Sequence, residues 1–112
     1  MIMLDTKTVI VNMLKEDKKT YLSIERLQKL LIYIYDELSK SNELNLYETH
    51  FDINFDAIER TVLYNNNIFR LDLCGEIIYL RETSNVGDLI REYSTDEKIT
   101  KIIADFIKES VA

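Results

Sequence analysis

At 112 residues the chain has room for one domain around one hydrophobic core and is too short for two. With 46% apolar and 30% charged residues it is too apolar for a disordered chain, and no apolar run approaches the roughly 20 residues that cross a bilayer. A net charge of −6 excludes a general polycation, so any contact with nucleic acid must come from a local basic patch.

The charge is unevenly spread. Residues 1–40 hold seven Lys/Arg against six Asp/Glu, whereas residues 41–112 hold seven against fourteen. The N-terminus shows no basic flank followed by an apolar stretch, so no signal peptide is read there and a cytoplasmic location is expected. Fifteen Ile and eight Asn against three Ala fit an AT-rich coding genome.

In chain order, Asp5 or Thr6 can cap a first helix running to about Glu16, with Val9, Ile10, Met13 and Leu14 on one face. The polar run Glu16-Asp17-Lys18-Lys19 ends it, Thr20-Tyr21-Leu22 reads as a short extended piece, and Ser23 opens a second helix. That helix spans Ile24 to about Lys40. Its spacing predicts Ile24, Leu27, Leu31, Ile34, Tyr35 and Leu38 inward, with Arg26, Lys29, Tyr33 and Lys40 opposite. Ser39 to Asn45 is polar enough for a turn, and Leu46 to Ile53 shows no clear periodicity. Asn54 suits the N-cap of a third helix reaching Tyr64, with Phe55, Ile58 and Val62 inward, and Asn65-Asn66-Asn67 breaks it.

The clearest β signal follows: Ile68 to Leu73, a Cys74-Gly75 turn, then Glu76 to Arg81. Two alternating runs joined by a short turn with Gly predict a hairpin. Alternation sets Phe69, Leu71, Leu73, Ile78 and Leu80 toward the core, and Ile68, Arg70, Asp72, Ile77, Tyr79 and Arg81 outward. Two helices complete the chain. Asn85 to Tyr93 places Val86, Leu89, Ile90 and Tyr93 together, and Ser94-Thr95-Asp96-Glu97 fits a capping box for a last helix. Ile99, Ile102, Ile103, Phe106 and Ile107 share one face of that helix, so it is expected to cap the core or to form a homodimer interface.

This order resembles the winged helix-turn-helix family. The run Thr20-Tyr21-Leu22-Ser23-Ile24-Glu25-Arg26-Leu27-Gln28-Lys29-Leu30-Leu31 looks like that family's opening strand and second helix, and Asn54 to Leu80 looks like its recognition helix and wing. The resemblance implies an α+β fold: a winged-helix core over residues 6–81 with a two-stranded wing, and two extra C-terminal helices over 85–111, all in one domain. It also implies double-stranded DNA as partner and a homodimer as the usual way of lengthening the site read. Two features depart from the family pattern. The second helix is long and its turn to the third is loose, and the third helix shows Asp56 and Glu59 outward with only Arg60 to offset them. A shorter stretch, Leu27-Gln28-Lys29-Leu30-Leu31-Ile32-Tyr33, is similar to the start of a phage-associated, antitoxin-like family whose proline-containing segment has no counterpart here.

The candidate DNA-contacting residues are therefore Arg70, Tyr79 and Arg81 on the wing, Asn66 and Asn67 beside it, Lys29 and Lys40 for the backbone, and Arg60 on the third helix. Each has a plainer explanation. Arg and Tyr are common on solvated strand faces, and helical Lys residues pair with acids three or four positions away. The outward acids Asp52, Asp56 and Glu59 support an alternative, an acidic protein-binding module such as an antitoxin or an inhibitor of a nucleic-acid-binding enzyme. Catalysis is not expected. His50 has no evident nucleophile beside it, Cys74 has no pattern that would activate it, and Gly75 and Gly87 cannot build a phosphate loop. With one Cys and one His, no Cys–His metal cluster or cofactor is expected either. The sequence reading is a DNA-binding accessory or regulatory protein of plasmid or phage type that contacts DNA mainly through its wing.

Overall fold

The computed structural model describes residues 2–72, 74–82 and 84–111, apart from the side chains of Val86 and Val111. The chain is a mixed α+β domain, with five α-helices and two small sheets among the described residues. Leu73 and the Val86 side chain, both expected inward, lie outside the described residues.

Strand β1 (Ile2–Asp5) leads directly into helix α1 (Thr6–Asp17). Asp5 is the N-cap, its carboxylate accepting from the Thr8 backbone N–H at 2.9 Å. The helix ends at Lys18, which takes a left-handed conformation (φ 55°) and returns its N–H to the last turn. Val9, Ile10, Met13 and Leu14 are buried as expected, and so are Thr6, Val11 and Asn12, because α1 is surrounded by neighbours. Strand β2 (Tyr21–Ser23) follows, and Ser23 caps helix α2 (Ile24–Lys40) by accepting from the Arg26 N–H at 3.1 Å.

The segment without periodicity, Leu46 to Ile53, contains strand β3 (Tyr47–His50), which pairs in parallel with β1. Neither strand was predicted. Both are four residues long and their burial does not alternate cleanly, so the pattern that announces a half-buried strand is absent. Helix α3 (Phe55–Tyr64) begins at the Asn54 cap, with Asn54 Oδ1 accepting from the Ala57 N–H at 2.7 Å. The hairpin comprises β4 (Phe69–Leu71) and β5 (Ile77–Leu80), joined through Gly75 at φ 70°, a conformation that favours glycine. Strand β2 pairs with the other side of β5, giving an antiparallel sheet ordered β2-β5-β4. Helices α4 (Val86–Glu92) and α5 (Glu97–Val111) complete the fold, capped by Asn85 and by Asp96, the latter in place of the capping box expected from Ser94, because the helix begins only at Glu97.

A single core joins α1, α2, α3, the inner sheet face and α5. Two inward assignments and one outward assignment shift. Tyr35 is exposed and Leu30 is buried instead, because α5 packs beside α2 and rotates its covered arc toward Leu30, Tyr33 and Ile34. Phe55 is exposed at the first turn of α3, beyond the contacts made by Ile58 and Val62. Ile68, expected outward by alternation, is buried. It sits in the turn before β4, where strand parity does not apply, and its carbonyl accepts from the Arg81 N–H. The last helix turns Ile99, Ile102 and Ile103 into the core, while Phe106 packs at a tilt of 54° against Tyr33 with ring centroids 5.5 Å apart. No helix among the described residues is long and apolar enough to cross a membrane.

Candidate nucleic-acid interface

The sheet puts its apolar side inward and a cationic, aromatic row outward. Register fixes this. Arg70 on β4 faces Tyr79 on β5, and Tyr79 faces Tyr21 on β2, so the three lie in one line across the strands. Directly opposed residues share a face, and neighbouring strands sit about 4.8 Å apart. The Arg70 guanidinium carbon lies 4.2 Å from the Tyr79 ring centroid, and the Tyr79 and Tyr21 centroids are 6.3 Å apart. Lys19 closes the far end, its Nζ 5.7 Å from the Tyr21 ring. The row therefore carries a cation at each end of two aromatic rings. Lys19 also reaches Asp17 at 3.9 Å, a carboxylate already bound by Arg26 at 2.7 Å, which softens the charge at that end.

Arg81 is placed differently. It follows the end of β5, and its Nε donates to the Asn66 carbonyl. Arg81 and Arg70 both line a groove of about 550 Å³ between α3 and the hairpin, shared with Glu59, Leu63, Asn66 and Asp72. Arg81 shares that groove with two carboxylates, whereas the Arg70 guanidinium lies over the Tyr79 ring, so the exposed positive charge is on the row.

The remaining candidates are separated from this face. Lys29 and Lys40 lie on the exposed side of α2 and engage acids of their own helix, Glu25 at 3.4 Å and Glu37 at 3.8 Å. The stripe expected on α2 is divided. Arg26 donates to Asp17 and Ser110, and Tyr33 donates to Glu109, so the C-terminal part of α5 takes up that half. Arg60 is exposed on α3 beside Leu63 and Tyr64. The Asn run separates as well. Asn65 accepts from Lys7 and donates to the Thr61 carbonyl, leaving Asn66 and Asn67 exposed in the turn. Of the three outward acids, Asp52 accepts from Thr61 Oγ1 at 2.6 Å and is structural, whereas Asp56 is exposed and Glu59 half-buried.

Comparison with known proteins adds nothing to this geometry. No protein-family model, curated protein or solved structure matches the chain. Lys19 and Tyr21 were missing from the sequence-derived set because their place depends on β2 pairing with β5, a contact between residues nearly sixty positions apart. Tyr21 within the short extended piece Thr20-Tyr21-Leu22 was the available signal. For other chemistries the site offers little. Among the described residues no three His, Cys, Asp or Glu side chains gather as a metal site requires. His50 Nε2 contacts Glu48 at 3.1 Å on the surface, and Cys74 is exposed.

Proposed function

We propose that this chain is a winged-helix DNA-binding protein with an accessory or regulatory role, and that it holds duplex DNA through its hairpin and the adjoining sheet face. Set apart from the added parallel pair β1–β3, the order helix, strand, helix, helix, hairpin supports the winged-helix reading, as does a sheet in which the short strand joins the second hairpin strand. The observation that carries the functional reading is the row Arg70, Tyr79, Tyr21, Lys19 on an open sheet face of an otherwise acidic protein. Cations at its two ends suit phosphates, and the rings supply flat surface for sugar or base contact. Helix α3 is the weaker candidate, since Asp56 and Glu59 would meet the phosphate backbone with like charge. Those same acids support the competing reading, an acidic module that occupies the groove of a nucleic-acid-binding protein.

Fluorescence anisotropy with duplexes from the native locus at low salt tests the proposal. Binding that Arg70→Ala weakens supports it. No binding of any duplex removes it and leaves the acidic-module reading, for which Asp56→Lys should abolish capture of the protein partner.

A further inference from the structure

We propose that a second copy of this chain covers the exposed face of α2, the two helices lying antiparallel about a two-fold axis beside Ile32. The inference is independent of the DNA reading. Ile32 is 49% exposed and Tyr35 47%, both on the side of α2 that faces away from the core. Ile53 continues this surface, being 48% exposed, with its carbonyl accepting from Gln28 Nε2 one turn before Ile32. The last helix does not compete for this role, because Ile99, Ile102 and Ile103 are already buried within the monomer.

Charge chooses the occupant and its direction. At 100° per residue, Glu25, Asp36, Lys29 and Lys40 fall within about 60° of one another, along the edge of the strip next to Ile32. Their order along the helix is acid, base, acid, base. The midpoint between Glu25 and Lys40 is also the midpoint between Lys29 and Asp36, and it falls between Ile32 and Tyr33. A two-fold axis perpendicular to the helix at that point brings like edges of the two helices together in reverse order. Glu25 then meets the partner's Lys40, and Lys29 meets the partner's Asp36, each pair occurring twice. Ile32 packs at the centre, while Tyr35 and Ile53 close the other edge. A parallel two-fold instead sets this charged edge against the partner's Tyr35 edge, leaving the four charges without an opposite partner. The pattern is self-complementary in one direction only.

Sedimentation equilibrium of the full chain from about 10 µM to about 1 mM tests this, with circular dichroism to confirm folding of every variant. The expected result is a monomer–dimer equilibrium in the wild type. Glu25→Lys and Lys40→Glu should each weaken it at least about tenfold, since each places two like-charge contacts across the axis. An equimolar mixture of the two single variants, or one chain carrying both substitutions, should recover the dimer, because every cross-axis contact is again opposite in sign. Ile32→Glu should abolish it. A wild type that stays monomeric over the whole range overturns the proposal. So does a dimer that ignores the charge variants and Ile32→Glu, or one whose loss the mixture does not repair.

Discussion

The Tyr47 hydroxyl donates to Asp96 Oδ2 at 2.6 Å, while Asp96 Oδ1 accepts from the Ile99 backbone N–H at 3.0 Å. One carboxylate thus caps α5 and fastens β3 to it across nearly fifty residues. Burial first, and then the bond to Asp96, push the Tyr47 hydroxyl well above its ordinary value. The folded state therefore favours neutral tyrosine more than the unfolded state does. The stability this contributes is complete below the unfolded pKa of about 10 and declines as pH rises above it. Tyr47→Phe is expected to cost about 1–3 kcal/mol at neutral pH, because it strips a donor from a charged acceptor, and to flatten the alkaline decline. Urea unfolding of both proteins at neutral and alkaline pH checks this. Parallel alkaline declines in the two would show that Tyr47 does not carry the effect.

Buried Asn12 gives a sharper contrast. Its Nδ2 donates to the Thr8 carbonyl at 2.8 Å and to the Tyr93 carbonyl at 2.7 Å, tying α1 to the end of α4. Asn12→Asp keeps the shape but turns a carboxylate oxygen toward two carbonyl oxygens in a buried site. A loss of about 3 kcal/mol or more is expected, relieved at acid pH where the carboxyl is protonated. Asn12→Leu removes the donor without adding charge and is expected to cost less. Thermal melts of the three proteins at two pH values decide the order, and equal melting of Asp and Leu variants would contradict it.

What the sequence disclosed depended on whether each signal was local. Caps at Asp5, Ser23 and Asn54 were legible because each is a short polar side chain set just before an apolar period, and each accepts a backbone N–H in the structure, whereas the capping box read from Ser94 is displaced to Asp96. The bounds of α2 and the hairpin register were legible for the same reason. The parallel β1–β3 pair was not, since four-residue strands joined across a whole helix pair leave no mark in a short window. Tyr35 and Leu30 exchanged places because burial on α2 depends on where α5 docks, which periodicity within α2 cannot report. The candidate site shows the same division. Arg70 and Tyr79 were readable from the hairpin, whereas Tyr21 and Lys19 joined them only through tertiary pairing.

The last helix separates two energies. Ile103 is fully buried, and Ile103→Ala is expected to cost about 2–5 kcal/mol through lost transfer energy and the cavity left behind. Phe106 is only partly buried against Tyr33, so Phe106→Ala should cost less, about 1–3 kcal/mol. Neither change should alter the concentration dependence of unfolding if α5 serves the monomer core alone. Denaturation at two protein concentrations checks both points, and a Phe106→Ala effect confined to the dimeric form would move α5 into an interface.

The strongest test of the proposed DNA contact compares positions on the row with positions off it. Few cations are available, so binding should weaken only gently with salt, with a log–log slope of about −3 to −5 rather than about −10. Arg70 is exposed and ends the row, so Arg70→Ala is expected to lose about 1–3 kcal/mol of binding if its contact reads a base. Lys19→Ala should lose less and should also lower the salt slope, as a phosphate contact does, since Lys19 is partly engaged by Asp17. Arg81→Ala should fall below Arg70→Ala, because Arg81 Nε already donates to the Asn66 carbonyl and its groove holds Glu59 and Asp72. Arg60→Ala on α3 should have the smallest effect, beside Asp56 and Glu59 on the same helix. Gel-shift titration of the four variants at two salt concentrations, with folding checked by circular dichroism, orders them. If Arg60→Ala abolishes binding while Arg70→Ala and Lys19→Ala bind as the wild type does, α3 enters the DNA and the sheet face is only a solvated surface.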